Sequence, residues 1–358
     1  MKFILGLFGC LSLLAEQKGI KEEKRYPSPS CSELCFGGPI LKNDWGIDLS
    51  GGVLYGTVSV GGAEVAVAAT EDKSDGLILI EGVHIFNDEE YGVKVNLGYR
   101  TEFDNWGVFA RNTYFSNATY PQSYEGFFYP LQYMDPHVSR MKKIEGLEGF
   151  GYLKAARKAF IDTLNLFIAR PSAFTKYLTF TPYFGIDCAY FFQSQTAYFL
   201  NEYLAEPNYF IDGGGLIAYE RNQFIGIGPL LGLDTKWNFN PKLYLYAGSY
   251  LSLLYSKIIS FSDSVAIYKG PLESPQEHRK ISANTAYQAV PELSINLGIG
   301  WNSFVINKAY NIGLKIGYEV IYYSQVNRRI INNFYSYGVT DGSSISLQGF
   351  TGEAFLDF

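Results

Sequence analysis

Hydrolytic chemistry in this 358-residue sequence would have to start from its three histidines, His84, His137 and His278. A His–acid pair can activate water and a Ser–His pair can attack a carbonyl, provided both partners sit in a motif with known mechanics. None of the three does. The nearest approach, Asp135-Pro136-His137, reads as turn chemistry, because Asp before Pro initiates turns. The glycines of Gly213-Gly214-Gly215 and Gly226-Ile227-Gly228 precede neither a helical pattern nor a Lys-Ser/Thr step. They suit strand curvature and loop turns rather than a phosphate cradle. Cys31 and Cys35 have no second Cys/His pair to complete a tetrahedral zinc set. An enzyme is therefore not expected, nor any cofactor or metal.

The elements that carry the remaining polar residues begin behind an export signal. Residues 1–15, MKFILGLFGCLSLLA, place Lys2 before a short apolar run that ends in Ala15, the layout of a cleaved signal peptide. Cleavage near Ala15 is preferred over lipidation at Cys10, because Phe8 is bulky for that site. Residues 16–44 are charged, then Pro/Ser/Gly-rich, and read as a periplasmic leader or linker. Within it, Cys31 and Cys35 meet an oxidising compartment. They can close a local disulfide, cross-link neighbours, or stand as idle thiols.

No later stretch of eighteen apolar residues offers a membrane helix. Losing residues 1–15 leaves 28 basic against 35 acidic side chains, which argues against nucleic acid as a partner. Tyr (29), Phe (27) and Gly (37) are abundant and charged residues make up only 18%. That composition favours strands and tight turns.

From Trp45 onward the dominant signal is period two. In 292–301, Leu293, Ile295, Leu297, Ile299 and Trp301 alternate with Glu292, Ser294, Asn296, Gly298 and Gly300. Equivalent patterns mark 45–59, 91–100, 105–115, 162–170, 178–192, 224–238, 241–255, 312–323 and 346–358. Strands of soluble sandwiches average about five or six residues, whereas a tilted membrane crossing needs about nine to eleven. The connectors alternate between short and long, as in outer-membrane barrels with short periplasmic turns and long extracellular loops. The expectation is all-β: an antiparallel transmembrane β-barrel over 45–358 with ten strands. Twelve is the alternative, if 64–69 and 77–83 add a pair. Closure follows because hydrocarbon leaves no water to satisfy an open sheet edge.

In the last strand Phe350, Gly352, Ala354, Leu356 and Phe358 share one face. Phe350, Leu356 and Phe358 are expected to serve as the signal read by the barrel-assembly machinery through strand addition. The run from Ile345 to Phe358, with Ser-Leu-Gln-Gly-Phe-Thr leading in and Asp-Phe at the end, resembles the major outer membrane protein family of Legionella and chlamydia-related bacteria. So do 176–186, 224–237 with Ser252-Leu-Leu-Tyr255, and Gly317-Tyr-Glu-Val-Ile-Tyr322 with Gln325. Two departures stand out. Leu230 occupies the place of an expected Arg, and Tyr322 or Tyr323 that of a Trp. The resemblance implies an abundant, pore-forming surface barrel that is often oligomeric or cysteine-linked.

Parity assigns an inward face to Asp48, Lys94, Arg100, Asp187, Asp234, Lys236, Glu292, Lys315, Glu319, Glu353 and Asp357. The expected function is a porin of the outer membrane of a Gram-negative cell, passing small hydrophilic solutes through this mixed-charge lumen with mild cation preference. The alternative is a non-conducting structural or adhesive barrel, toward which a ten-strand count leans because few strands leave little internal space. Expected partners are outer-membrane lipid, the assembly machinery and those solutes.

Overall fold

The computed structural model describes residues 46–62, 64–72, 77–85, 88–101, 106–130, 150–175, 177–200, 215–268, 276–305, 310–328, 330–333, 336–339 and 342–358. The expected signal peptide and leader, with Cys31 and Cys35, lie outside them, as do Asp135 and His137. The described strands are β1 (Gly46–Val60), β2 (Glu64–Asp72), β3 (Leu77–His84), β4 (Glu90–Arg100), β5 (Gly107–Ala118), β6 (Gln122–Pro130), β7 (Phe150–Ala169) and β8 (Ser172–Ala173). They continue with β9 (Leu178–Leu200), β10 (Gly215–Asn238), β11 (Leu243–Tyr268), β12 (Gln276–Val305), β13 (Tyr310–Asn327), β14 (Ile330–Asn333), β15 (Ser336–Val339) and β16 (Ser343–Asp357).

Ten of these close a ring, β1-β4-β5-β7-β9-β10-β11-β12-β13-β16 and back to β1, and every neighbouring pair is antiparallel. The wall has no edge, which meets the requirement that each backbone group in hydrocarbon find a partner. Closure extends to Phe358, whose N–H donates to the Ile47 carbonyl at 3.0 Å while Ile47 N–H donates to the Phe358 carbonyl at 2.6 Å. Strands β2 and β3 form where the extra pair was expected, yet they do not enter the wall. β1 pairs directly with β4 from Gly46↔Arg100 to Gly56↔Glu90, so no gap exists between them. Instead β2 and β3 pair with each other, and β2 joins β6, which joins β7.

Short turns lie at one end. At the β10–β11 turn, Asn240 Oδ1 accepts from the backbone N–H groups of Lys242 at 2.8 Å and Leu243 at 2.7 Å, an Asx turn that reverses the chain ahead of Pro241.

At the other end the strands overrun their expected limits. β7 starts at Phe150, β9 reaches Leu200, β10 starts at Gly215, and β11 and β12 pair from Leu243↔Trp301 to Tyr268↔Gln276. Much of the expected loops 116–161, 193–223 and 256–291 is therefore continuous ladder. Once the register is set inside the membrane, pairing propagates without an apolar outer face. β12, at 30 residues, is about three times the length a crossing needs. Toward the far ends of β7, β9 and β10, Leu153, Phe199 and Leu216 make a separate apolar core with Val65 of β2 and Phe128 of β6, joined by Tyr124.

Facing outward are Val93, Val95, Tyr99, Ile225, Ile227, Leu231, Leu233, Trp237, Leu293, Ile295, Leu297, Ile299, Trp301, Leu314, Ile316, Tyr318, Tyr322 and Phe350, all exposed. In water this would be an aggregation surface; against acyl chains it is the wall of a membrane barrel.

Candidate functional site

Along β1, β13 and β16 the inward face changes character, counted from the short-turn end. β1 runs from Asp48 and Ser50 to Leu54 and Val58, β13 from Lys315 and Glu319 to Ile321 and Tyr323, and β16 from Asp357 and Glu353 to Leu347 and Ile345. One half of the lumen is charged and the next is apolar.

The charged half rests on cross-strand pairs of an aromatic residue with glycine. Phe109 lies opposite Gly98, Tyr183 opposite Gly232, Tyr244 opposite Gly300 and Phe355 opposite Gly313. In each case a Cβ on the glycine would fall 2.1–2.3 Å from ring atoms, so the ring lies flat across the missing side chain. Cations sit over these rings. Lys236 Nζ is 3.9 Å from the Tyr244 centroid, Lys315 Nζ 5.2 Å from Phe355, and the Arg111 guanidinium 5.9 Å from Tyr183 and 5.3 Å from Phe167. The quadrupole of each ring offsets part of the cost of holding the cation away from bulk water.

The carboxylates then pair inward. Lys94 Nζ, 5% exposed, donates to Glu319 Oε2 at 2.6 Å and lies 3.5 Å from Glu353 Oε1. Lys315 approaches Glu353 at 4.0 Å and Arg111 approaches Asp234 at 3.5 Å. Nearest the turns, Arg100 reaches Asp48 at 2.7 Å, and Asp357 accepts from Asn311 Nδ2 at 2.8 Å. Asp187 and Glu292 belong to a different arrangement: the Ser252 hydroxyl lies within reach of both, Asn165 Nδ2 donates to Asp187, and the Tyr250 hydroxyl donates to Glu292. Of the eleven residues selected by parity, Lys94, Lys315, Glu319 and Glu353 form one cluster and Asp187 and Glu292 a second, while Asp234 pairs with Arg111, Lys236 sits over Tyr244, Asp48 pairs with Arg100 and Asp357 with Asn311.

Two cations were absent from that selection. Arg111 shares its face with Phe109, Thr113 and Phe115 in the expected strand 105–115, so the same parity could have found it. Arg157, 5% exposed, donates to Gln195 Oε1 at 3.0 and 3.2 Å. It lay within an expected loop, where no parity was assigned.

Above the charges an apolar belt crosses the lumen. Leu54, Phe115, Ile161, Phe191, Phe224, Leu254, Ile258, Val290, Ile321 and Leu347 form one contiguous buried cluster with their neighbours, drawn from nine of the ten wall strands. Leu230, which replaces the expected Arg, packs with Phe167, Tyr183 and Tyr250.

Of the expected assembly residues, Phe350 is 64% exposed on the outer face, while Leu356 and Phe358 are half-buried beside Ile312 and Tyr310, the Phe358 ring lying 6.3 Å from that of Tyr310. His84 is exposed, with Nε2 3.9 Å from Glu64 Oε1, outside the lumen cluster.

A family model described as Legionella pneumophila major outer membrane protein precursor matches residues 39–358. No curated protein matches the chain. Among solved structures, the outer membrane protease OmpT from Escherichia coli is similar at 12% identity and a TM-score of 0.36, covering 90% of this chain and 99% of that one. The Pseudomonas putida toluene transporter TodX is similar at 11% identity and 0.28, covering 87% and 89%. Ail, the attachment invasion locus protein of Yersinia pestis, is similar at 10% and 0.21, covering 87% and 98%.

Proposed function

The chain belongs to the Legionella major outer membrane protein family, and from that premise we propose that this outer-membrane barrel works at the cell surface with its lumen closed, as a structural or adhesive barrel. The observation that carries the reading is the belt. Leu54, Phe115, Phe224 and Leu254 are each at most 1% exposed, and a ten-strand wall leaves a space that side chains fill. A dry apolar constriction blocks ions even where polar groups line the lumen on either side of it. What the barrel offers its surroundings is then the β-structure raised beyond the membrane, capped by β2, β3 and β6. Export through the segment 1–15 and delivery by the assembly machinery through the strand ending at Phe358 belong to the same proposal, which includes no catalysis and no partner nucleic acid.

The test is single-channel recording in planar bilayers. The expected result is no steps above background; resolved, reproducible steps overturn the reading. They would instead support a porin for small hydrophilic solutes. The observation favouring that second reading is the charged half of the lumen, where seven acidic residues against five basic, counting Arg111, suit a mild cation preference.

A further inference from the structure

Three neighbouring strands end their apolar outward faces together. Counted away from the short turns, the run Phe184, Ile186, Cys188, Tyr190, Phe192 on β9 gives way to Ser194 and Thr196. On β10 the run Leu233, Leu231, Pro229, Ile227, Ile225 gives way to Gln223 and Arg221, and on β7 Phe160 is followed by Lys158. Runs of this length match one tilted crossing, and the polar rows begin toward the long connectors, where the headgroups of the outer leaflet lie.

At that boundary the ladders place Ser194 opposite Lys158 of β7 on one side and Arg221 of β10 on the other. Neighbouring strands lie about 4.8 Å apart, so two long cationic side chains flank one small hydroxyl across a gap of about 10 Å. Lys154, four residues farther out on the same face of β7, stands opposite Tyr198. None of the three cations has a hydrogen-bond or ion-pair partner among the described residues. The Arg221 guanidinium rests 5.6 Å from the centroid of the Phe261 ring, and its Nε lacks an acceptor. Acids in adjoining rows are already engaged: Asp162 accepts from Asn112 Nδ2 at 2.8 Å, and Arg279 donates to Asp263 at 2.6 and 3.0 Å.

Elsewhere the rim is different. Past its apolar run β1 carries Thr57 and Ser59, β5 carries Ser116 and Ala118, and β16 carries Gln348 and Ser346. A general attraction to anionic headgroups would spread cations around the barrel, whereas this wall gathers them on one arc.

We propose that Lys158, Arg221 and Ser194, with Lys154 beyond them, bind the phosphate of an outer-leaflet lipid whose acyl chains lie on Cys188, Tyr190, Ile225 and Ile227. The Arg fork and the Lys ammonium give charge-assisted hydrogen bonds to phosphate oxygens, and the Ser194 hydroxyl donates a further one. The apolar face directly beneath selects a lipid over a free anion, because only a lipid places hydrocarbon there while presenting its phosphate to the cations. The inference holds whether or not the lumen conducts.

The experiment uses the full chain refolded into neutral detergent micelles, with lipid A, which carries two phosphates, as the probe. Native mass spectrometry counts retained lipid, and thermal unfolding followed by circular dichroism reads its effect. One lipid A is expected to be retained and to raise the unfolding midpoint. Dephosphorylated lipid A should bind about 30-fold more weakly, the attraction of two surface cations. K158Q/R221Q should show the same loss toward lipid A, K158R/R221K should keep it bound, and K242Q at the short-turn end should match wild type. S194F, which fills the gap and leaves both charges, should also weaken binding and reads the site independently. Undiminished binding in K158Q/R221Q, or in S194F if the double variant does not fold, overturns the inference. So does equal binding of the phosphorylated and dephosphorylated lipids, or a wild-type chain that retains neither. Displacement of lipid A by equimolar inorganic phosphate overturns it as well, assigning the site to a free anion.

Discussion

Lys94 and Glu319, 225 positions apart in the chain, meet at 2.6 Å inside the barrel, and Glu353 closes on the same ammonium at 3.5 Å. β4 and β13 are separated around the wall by β1 and β16, so the contact spans the lumen side of two intervening strands. Removing the cation leaves two carboxylates with one distant partner, Lys315. K94M is expected to lower stability by about 3–5 kcal/mol, the cost of breaking a buried pair from one side. K94M combined with E319L should recover a large part of that loss, since apolar replacements of a buried pair are often neutral. Urea unfolding of refolded barrels in micelles measures both; a K94M barrel as stable as wild type would mean the cluster is hydrated.

Gly232 is the seat of Tyr183. A Cβ there would fall 2.2 Å from the ring, so G232V must lift the ring into the space that Arg111 and Leu230 already fill. The expected loss is about 1–3 kcal/mol, typical of overpacking. Y183A/G232V should be no less stable than Y183A alone, because the clash goes with the ring. The midpoint of urea unfolding across the four-member cycle tests this.

The Asn240 side chain holds two backbone donors of the β10–β11 turn. N240A is expected to cost about 1 kcal/mol, because the freed N–H groups can turn to solvent, while N240D keeps an acceptor oxygen and should cost less. Equal losses in the two variants would show that the turn is set by Pro241 alone.

The wall was legible because the bilayer imposes a strict alternation on it. Leu293 to Trp301 is readable only because every second side chain must face lipid. That alternation also fixed the inward face of Glu292, Glu319 and Glu353. Beyond the membrane the constraint lapses. β11 continues with Ser256, Ser260, Ser262 and Ser264 buried, and nothing in their polarity announces an inward face, so 256–291 reads as loop. The partners of each charge were equally hidden. Lys94 finds Glu319 through register and reach across the lumen, and Asp187 meets Ser252 across the intervening strand β10, where its own ladder partner is Gly228, a residue with no side chain to stand between them. Periodicity along one strand carries none of that.

If the belt is what closes the lumen, thinning it should open a path before the wall fails. Phe224 and Leu254 are fully buried belt members on adjacent strands β10 and β11, and each truncation to alanine is expected to cost about 2–5 kcal/mol. The double variant F224A/L254A removes apolar contacts that exclude water between the charged half of the lumen and the polar stripe of β11 above. Water entering a constriction of this kind restores conduction, because dewetting is what blocks ions there. Planar-bilayer recording should show steps in F224A/L254A that are absent from wild type and from the lipid-facing control I225A. Those steps should also select cations, since the acid surplus below the belt then faces the ion path, and K94M should sharpen that selectivity by removing a positive charge from it. A double variant that folds, with the β-sheet circular dichroism of the wild-type chain, and remains silent would place the seal elsewhere, in the packing around Tyr183, Leu230 and Tyr250 nearer the short turns.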